Sequence, residues 1–272
     1  MGNAAAKEGL GMKLELRHVN AGYSSGEPVL KDISFTMESG QICCLLGPNG
    51  VGKTTLFKTI LGLQKPLSGG VYFDGENTAN WSAKTLANHM AYVSQFHNPP
   101  FPYKVKDVVL LGRINSVGYF GKPGEMEYEI AEAAMADVGI THLRDMVYTD
   151  ISGGERQLVM IARALAQEPD LLVMDEPAAS LDYGNMVRVI SKIRSLKDKG
   201  FGIIMTTHSP DQAFMCESKV ALLRRREPLI YGDAAEVITE ENMHSAYGVN
   251  IKVIEFFDAY GRLVRMCSPL LD

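Results

Sequence analysis

Residues 13–19 alternate apolar and polar side chains, the two-residue period of a half-buried strand. Gln41–Leu46 is instead a short, nearly continuous apolar run, the pattern of a strand covered on both faces in a parallel sheet. Gly47-Pro48-Asn49-Gly50 ends that run, and a helix is expected over Thr54–Leu63. Further short strands are expected at Val71–Phe73, Met90–Val93, Leu171–Met174, Ile203–Thr206 and Val220–Leu223. Helices are expected over Gly153–Ala166 and Gly184–Lys199. The stretch from about Val105 to Gly139 reads as helix-rich with a break at Gly118–Gly124, and Pro99, Pro100 and Pro102 force an irregular path into it. Ile251–Met266 alternates like strands around a turn at Asp258–Gly261. Strand–helix alternation with a helical insertion is the architecture this predicts.

The chain has 272 residues, enough for one large domain with an insertion or about two domains. Either buries a core without disulfides or a structural metal. Twenty-seven basic against 32 acidic residues give a net charge of -5, which argues against a nucleic-acid partner. No run of about 18 apolar residues offers a membrane span. The first residues, 1–12, read as a flexible leader; Ala6 stands where a myristoylation pattern requires Ser or Thr. Cys43, Cys44, Cys216 and Cys267 have neither zinc-finger nor disulfide-framework spacing, so reduced thiols in a cytosolic setting are expected.

Gly47-Pro48-Asn49-Gly50-Val51-Gly52-Lys53-Thr54 fits the G-x-x-x-x-G-K-[ST] pattern, between an expected strand and an expected helix. Its glycines let backbone N–H groups turn inward around phosphates, and the helix that follows points its positive end at the anion. Lys53 is placed to reach the β- and γ-phosphates, and the Thr54 hydroxyl to ligate magnesium. Leu171–Met174 is an apolar strand ending in Asp175-Glu176, at the end of a parallel strand where ligands gather. Asp175 is the expected magnesium-side carboxylate and Glu176 the expected general base.

Ile151-Ser152-Gly153-Gly154-Glu155-Arg156-Gln157 precedes the Asp-Glu pair. With it, the sequence resembles the ABC ATPase family over about Leu14–Gly248, whose signature reads Leu-Ser-Gly-Gly-Gln. The resemblance implies that Tyr23 stacks on adenine, that Gly47–Thr54 with Thr55 is the Walker A loop, and that Gln95 is the Q-loop glutamine beside magnesium. It implies that Ser152–Glu155 is the signature, Asp175 and Glu176 the Walker B pair, Ser180-Leu181-Asp182 the D-loop and His208 the switch histidine. The implied fold is α/β: a P-loop NTPase core (13–95 and 151–232) with an antiparallel β subdomain, an inserted α-helical subdomain (96–150) and a strand-rich extension (251–272). Two departures stand out. Ile151 replaces Leu, a volume-conserving change. Glu155 replaces Gln, which exchanges amide donors for a negative charge near a triphosphate.

One motif set implies half of each of two ATP sites, so the resemblance implies a head-to-tail homodimer with magnesium and ATP between Lys53 and Thr54 of one copy and Ser152–Glu155 of the other. Phe96, Pro100, Phe101 and Tyr103 are then candidates for contact with a permease helix. The phrases Leu111-Gly112-Arg113 and Tyr119-Phe120-Gly121-Lys122-Pro123 resemble ATPase subunits of metal-chelate importers, which handle iron–siderophores, haem, cobalamin or molybdate. That implies a peripheral location on the cytoplasmic face of the membrane, permease partners and, indirectly, a substrate-binding protein. The alternative is a soluble ABC-type ATPase of iron–sulfur assembly or DNA maintenance. Arg224-Arg225-Arg226 reads as a solvated charged turn, with contact to anionic lipid headgroups as the alternative.

Overall fold

The computed structural model describes residues 11–22, 27–95, 102–117 and 121–270. Tyr23, Phe96, Pro100 and Phe101 lie outside the described residues. The first part of the chain runs through β1 (Lys13–Ala21), β2 (Leu30–Glu38), β3 (Ile42–Leu46), α1 (Lys53–Ile60), β4 (Ser68–Phe73), β5 (Glu76–Asn77), α2 (Ala83–His89) and β6 (Met90–Val93). Then come α3 (Val105–Leu110), α4 (Glu125–Val138), α5 (Gly153–Leu165), β7 (Leu171–Met174), α6 (Tyr183–Asp198), β8 (Gly202–Thr206), α7 (Pro210–Met215) and β9 (Lys219–Leu222). The chain ends with β10 (Ile230–Asp233), α8 (Ala234–Val237), α9 (Glu240–Tyr247), β11 (Ile251–Phe257) and β12 (Leu263–Pro269).

Six strands form one sheet in the order β10-β9-β3-β8-β7-β6, parallel except for the edge strand β10. All residues of β3, β7 and β8 are buried, as strands covered on both faces must be. Adjacent Cys43 and Cys44 therefore face opposite layers: Cys44 joins the core shared with α5 and α6, and Cys43 the core shared with α1 and the second sheet. That second sheet, β2-β1-β4-β5, is antiparallel. The mixed α/β architecture expected from the sequence is the one found.

The pattern did not announce β2. Its apolar positions Leu30, Ile33, Phe35 and Met37 slip from a two-residue to a three-residue step, because the β1–β2 register shifts on either side of Val19. His18 and Asp32 both take positive φ at this irregularity, and His18 Nδ1 lies 2.7 Å from Asp32 Oδ1. Met12, the last residue of the expected leader, is buried, and its carbonyl accepts from Ser39 N at 2.8 Å.

Helices α3 and α4 pack on α5, and the Leu111-Gly112-Arg113 phrase shows why those residue types sit there. A Cβ on Gly112 would lie 2.2 Å from the Arg163 carbonyl oxygen, so only glycine permits the approach. Arg113 is buried, and its Nη1 donates to Ala166 O at 2.8 Å and to Glu168 Oε2 at 2.9 Å. Among the described residues no helix is long and apolar enough to cross a membrane.

Candidate functional site

The parallel strands deliver their loops to one end of the sheet, and the candidate site is built there. β3 exits into Gly47, whose φ is +145°; Gly50 and Gly52 follow at +75° and +114°. A Cβ on Gly47 would stand 2.4 Å from Leu223 O, and one on Gly52 2.7 Å from Leu30 Cδ2. The loop can thus curl only with glycine at these positions, leaving an anion cradle at the start of α1. Gly52, left-handed, is the N-cap of α1, and no acidic side chain occupies that helix's first turn to compete for the anion.

Lys53 is buried, and its ammonium folds back on the loop, donating to Gly47 O at 2.5 Å and Pro48 O at 3.2 Å. Burial lowers its pKa, against the opposing pull of the Glu176 and Asp175 carboxylates. Thr54 is exposed, while Thr55 is buried under the loop.

Strand β7 carries Asp175 and Glu176 to the same end. Thr206, the last residue of β8, donates its hydroxyl to Asp175 Oδ1 at 2.6 Å and accepts from Glu176 N at 2.8 Å. Tyr92 Oη lies 3.4 Å from Asp175 Oδ2, and burial together with that carboxylate pushes its phenol up to about 12. Glu176 has a φ of +46°, a conformation that costs a non-glycine residue about 1 kcal/mol or more. The carboxylate it presents is held on both sides: Gln95 Nε2 donates to Oε2 at 2.9 Å, and His208 Nε2 pairs with Oε1.

The structure thus brings together Lys53, Asp175, Glu176, Gln95 and His208. Thr206 and Tyr92 join them without having been read from the sequence. A threonine two residues before the histidine and an outward tyrosine on β6 belong to no motif, and only the paired register of β6, β7 and β8 sets them beside Asp175.

The signature occupies a different place. Ser152 is the N-cap of α5, and Ser152 Oγ accepts from Glu155 N at 3.3 Å. Glu155 Oε2 in return accepts from Ser152 N at 2.8 Å and from Ser152 Oγ at 2.7 Å, closing a capping box. That hydroxyl hydrogen bond is the leading cause of a lowered Glu155 pKa, so the carboxylate is ionised at neutral pH. Gly154 is buried, with room for a Cβ denied by Asn185 at 2.6 Å. Asn185 is also the residue that Asp182 caps: Asn185 N donates to Oδ1 at 2.8 Å and Nδ2 to Oδ2 at 2.6 Å, and these bonds lower the Asp182 pKa. Ser180, exposed and at φ +60°, precedes it. Ile151 is buried. Among the described residues no hydrogen bond joins Ser152–Glu155 to Gly47–Thr55 or to the Asp175-Glu176 pair.

The arginine turn is solvated at Arg225 and Arg226 but not at Arg224. Arg226 is exposed, but Arg224 is half-buried, donates to Ser245 Oγ and Pro228 O at 3.1 Å each, and pairs with Glu227. Arg225 Nη2 stands 3.5 Å from Asn49 O, beside the phosphate loop. Of the three, only Arg224 reaches α9, through Ser245.

The ABC transporter family model matches residues 30–179. The chain is 41% identical over 236 residues to an ABC transporter ATP-binding protein of Haemophilus influenzae, covering 87% of this chain and 89% of that protein. It is 31% identical over 235 residues to the molybdate import ATP-binding protein MolC of the same organism, covering 86% of this chain and 87% of that one. A solved metal-chelate type ABC transporter in an inward-facing conformation superposes with a TM-score of 0.84 at 29% identity, over 96% of this chain and 98% of that chain. The matched segment spans Gly47–Thr54, Ser152–Glu155 and Asp175-Glu176, and the chain belongs to the ABC transporter family.

Proposed function

We propose that the chain is the ATP-hydrolysing subunit of an importer for a metal chelate or metal oxyanion, working as a head-to-tail homodimer on a membrane permease. The observation that carries the enzymatic part is Glu176, whose carboxylate is gripped by Gln95 and His208 at the end of β7. A carboxylate so held, next to a phosphate cradle, is positioned to accept a proton from an attacking water. Lys53 would leave the Gly47 and Pro48 carbonyls for the β- and γ-phosphates, and the N–H groups of Gly50–Thr55 would line the anion.

Magnesium fits the donor set. Thr54 offers an exposed hydroxyl at the start of α1, and Asp175 has Oδ1 fixed by Thr206 and Oδ2 touched only distantly by Tyr92. Thr54 and Asp175, with Gln95 beside them, would hold the ion, which when bound offsets charge on the β- and γ-phosphates.

The case for a dimer is that Ser152 and the N-terminus of α5 make no bond to their own chain's cradle, although a helix N-terminus suits a γ-phosphate. A second copy would bring them there, with Ser180 and Asp182 at the same seam. Tyr23 would stack on adenine. The importer class and the peripheral place at the cytoplasmic face of the membrane are supported by the relatives: one is named for molybdate import, and the superposed transporter is of metal-chelate type. A substrate-binding protein would then select the cargo.

The test is Glu176→Gln protein in ATP and magnesium, sized by light scattering. A dimer that dissolves when magnesium is chelated supports the reading, and a monomer under saturating ATP refutes it. Co-purification with a polytopic permease tests the transport assignment separately.

A further inference from the structure

Gly47 is where β3 leaves the sheet and the phosphate loop begins, and both of its backbone polar groups are occupied. Its carbonyl accepts from Lys53 Nζ at 2.5 Å. Its amide donates to the hydroxyl of Tyr247 at 2.9 Å, across 200 residues of sequence. Tyr247 is the last residue of α9, far outside the matched family segment, and its half-buried ring packs against the main core. Burial raises the pKa of its phenol, so the hydroxyl stays protonated. The helix itself is anchored: Arg224 donates to Ser245 Oγ at 3.1 Å, and Gly248, left-handed at φ +69°, terminates α9 directly after the tyrosine.

The two ties on Gly47 have different fates. The ammonium of Lys53 has to release the Gly47 and Pro48 carbonyls before it can serve a triphosphate. Once it does, the Tyr247 hydroxyl is the tie that remains on the first residue of the loop. Lacking a Cβ, a glycine has wide conformational freedom in an unanchored loop, and that freedom is lost on binding.

We propose that Tyr247 is a positioning residue for nucleotide binding: its hydroxyl fixes the mouth of the Walker A loop, so that helix α9 sets ATP affinity from outside the motif set. This rests on the nucleotide-binding reading of that loop. Tyr247 touches no phosphate and takes no part in proton transfer. Its effect belongs in affinity rather than in the chemical step.

The experiment is Tyr247→Phe in the full chain, which keeps the ring and its packing. Calorimetric titration with magnesium-ATP and steady-state ATPase assays are run beside wild type and Lys53→Ala. The Kd and KM for ATP should rise about five-fold, the worth of one neutral hydrogen bond, with kcat held within about two-fold. Exchange of the Gly47 amide in nucleotide-free protein should quicken by a similar factor. A merely structural tyrosine would shift the thermal midpoint and leave KM and that amide alone. An unchanged KM, or unchanged Gly47 exchange, overturns the proposal. If wild type itself binds no ATP, or binds it no better than Lys53→Ala, the nucleotide reading falls and this inference with it.

Discussion

Thr206 donates its hydroxyl to Asp175 Oδ1 at 2.6 Å while accepting the backbone N–H of Glu176 at 2.8 Å, so one side chain on β8 holds both acids at the end of β7. Thr206→Val preserves shape and removes both bonds. A bond to a charged acceptor contributes about 1.5–3 kcal/mol, so kcat should fall roughly ten-fold to a hundred-fold at saturating magnesium-ATP. Thr206→Ser should recover most of it. Steady-state ATPase assays, with circular dichroism to confirm folding, decide the matter; full activity in the valine variant would show that β7 alone positions the pair.

Glu155→Gln should pull stability and turnover in opposite directions. Both of its bonds to Ser152 end on one oxygen, Oε2, and an amide oxygen can accept them equally. The loss is a negative charge at the N-terminus of α5, costing a few tenths of a kcal/mol at such an exposed site. In the proposed head-to-tail dimer the gain is less repulsion toward the partner's triphosphate, which should raise ATPase several-fold and lower the ATP needed for dimerisation. Turnover equal to wild type would mean that position 155 does not tune the cycle.

Arg113→Met leaves the Ala166 carbonyl without the donor that caps the end of α5. The cost should be about 2 kcal/mol in urea unfolding, the penalty of one buried unpaired acceptor. Glu168→Gln, altering only the exposed partner of Arg113, should cost far less.

Alkaline pH should destabilise the protein through its buried thiols, Cys43 and Cys44 on β3 and Cys216 after α7. Burial pushes the Cys43 and Cys44 thiols from 9.0 to about 12. The folded state therefore favours the protonated thiol: its stability is complete below pH 9 and declines as pH climbs toward 12. Urea midpoints measured across pH 8–11 should fall above pH 9, and Cys43→Ala should make that fall shallower while lowering the midpoint throughout. A flat profile for wild type would contradict it.

The motif residues were legible because each motif is local. Gly47–Thr54 turns within eight residues, and Ser152 and Glu155 close their capping box three residues apart. Gln95 and His208 were legible through the order of motifs alone, since neither is unusual at its own position. What escaped depends on pairing between distant strands. Thr206 and Tyr92 become site residues through register; Tyr247 does so by reaching back to β3. Strand β2 was hidden for a related reason, because the irregularity at His18 and Asp32 breaks the alternation that would have marked it. The solvated turn holds for Arg225 and Arg226; Arg224 differs, because a charged run carries no sign of the α9 serine that receives it.

Helix α5 is used at both ends. Its first turn carries Ser152 and Glu155, and its last turn receives Gly112 and Arg113 so closely that no Cβ fits between. Thirteen residues at 1.5 Å each make a rod about 20 Å long. Closely packed protein interiors are stiff, so a push at one end of such a rod arrives at the other rather than being absorbed. The glycine contact would then act as a gear tooth, carrying any tilt of α3 and α4 through α5 to Ser152.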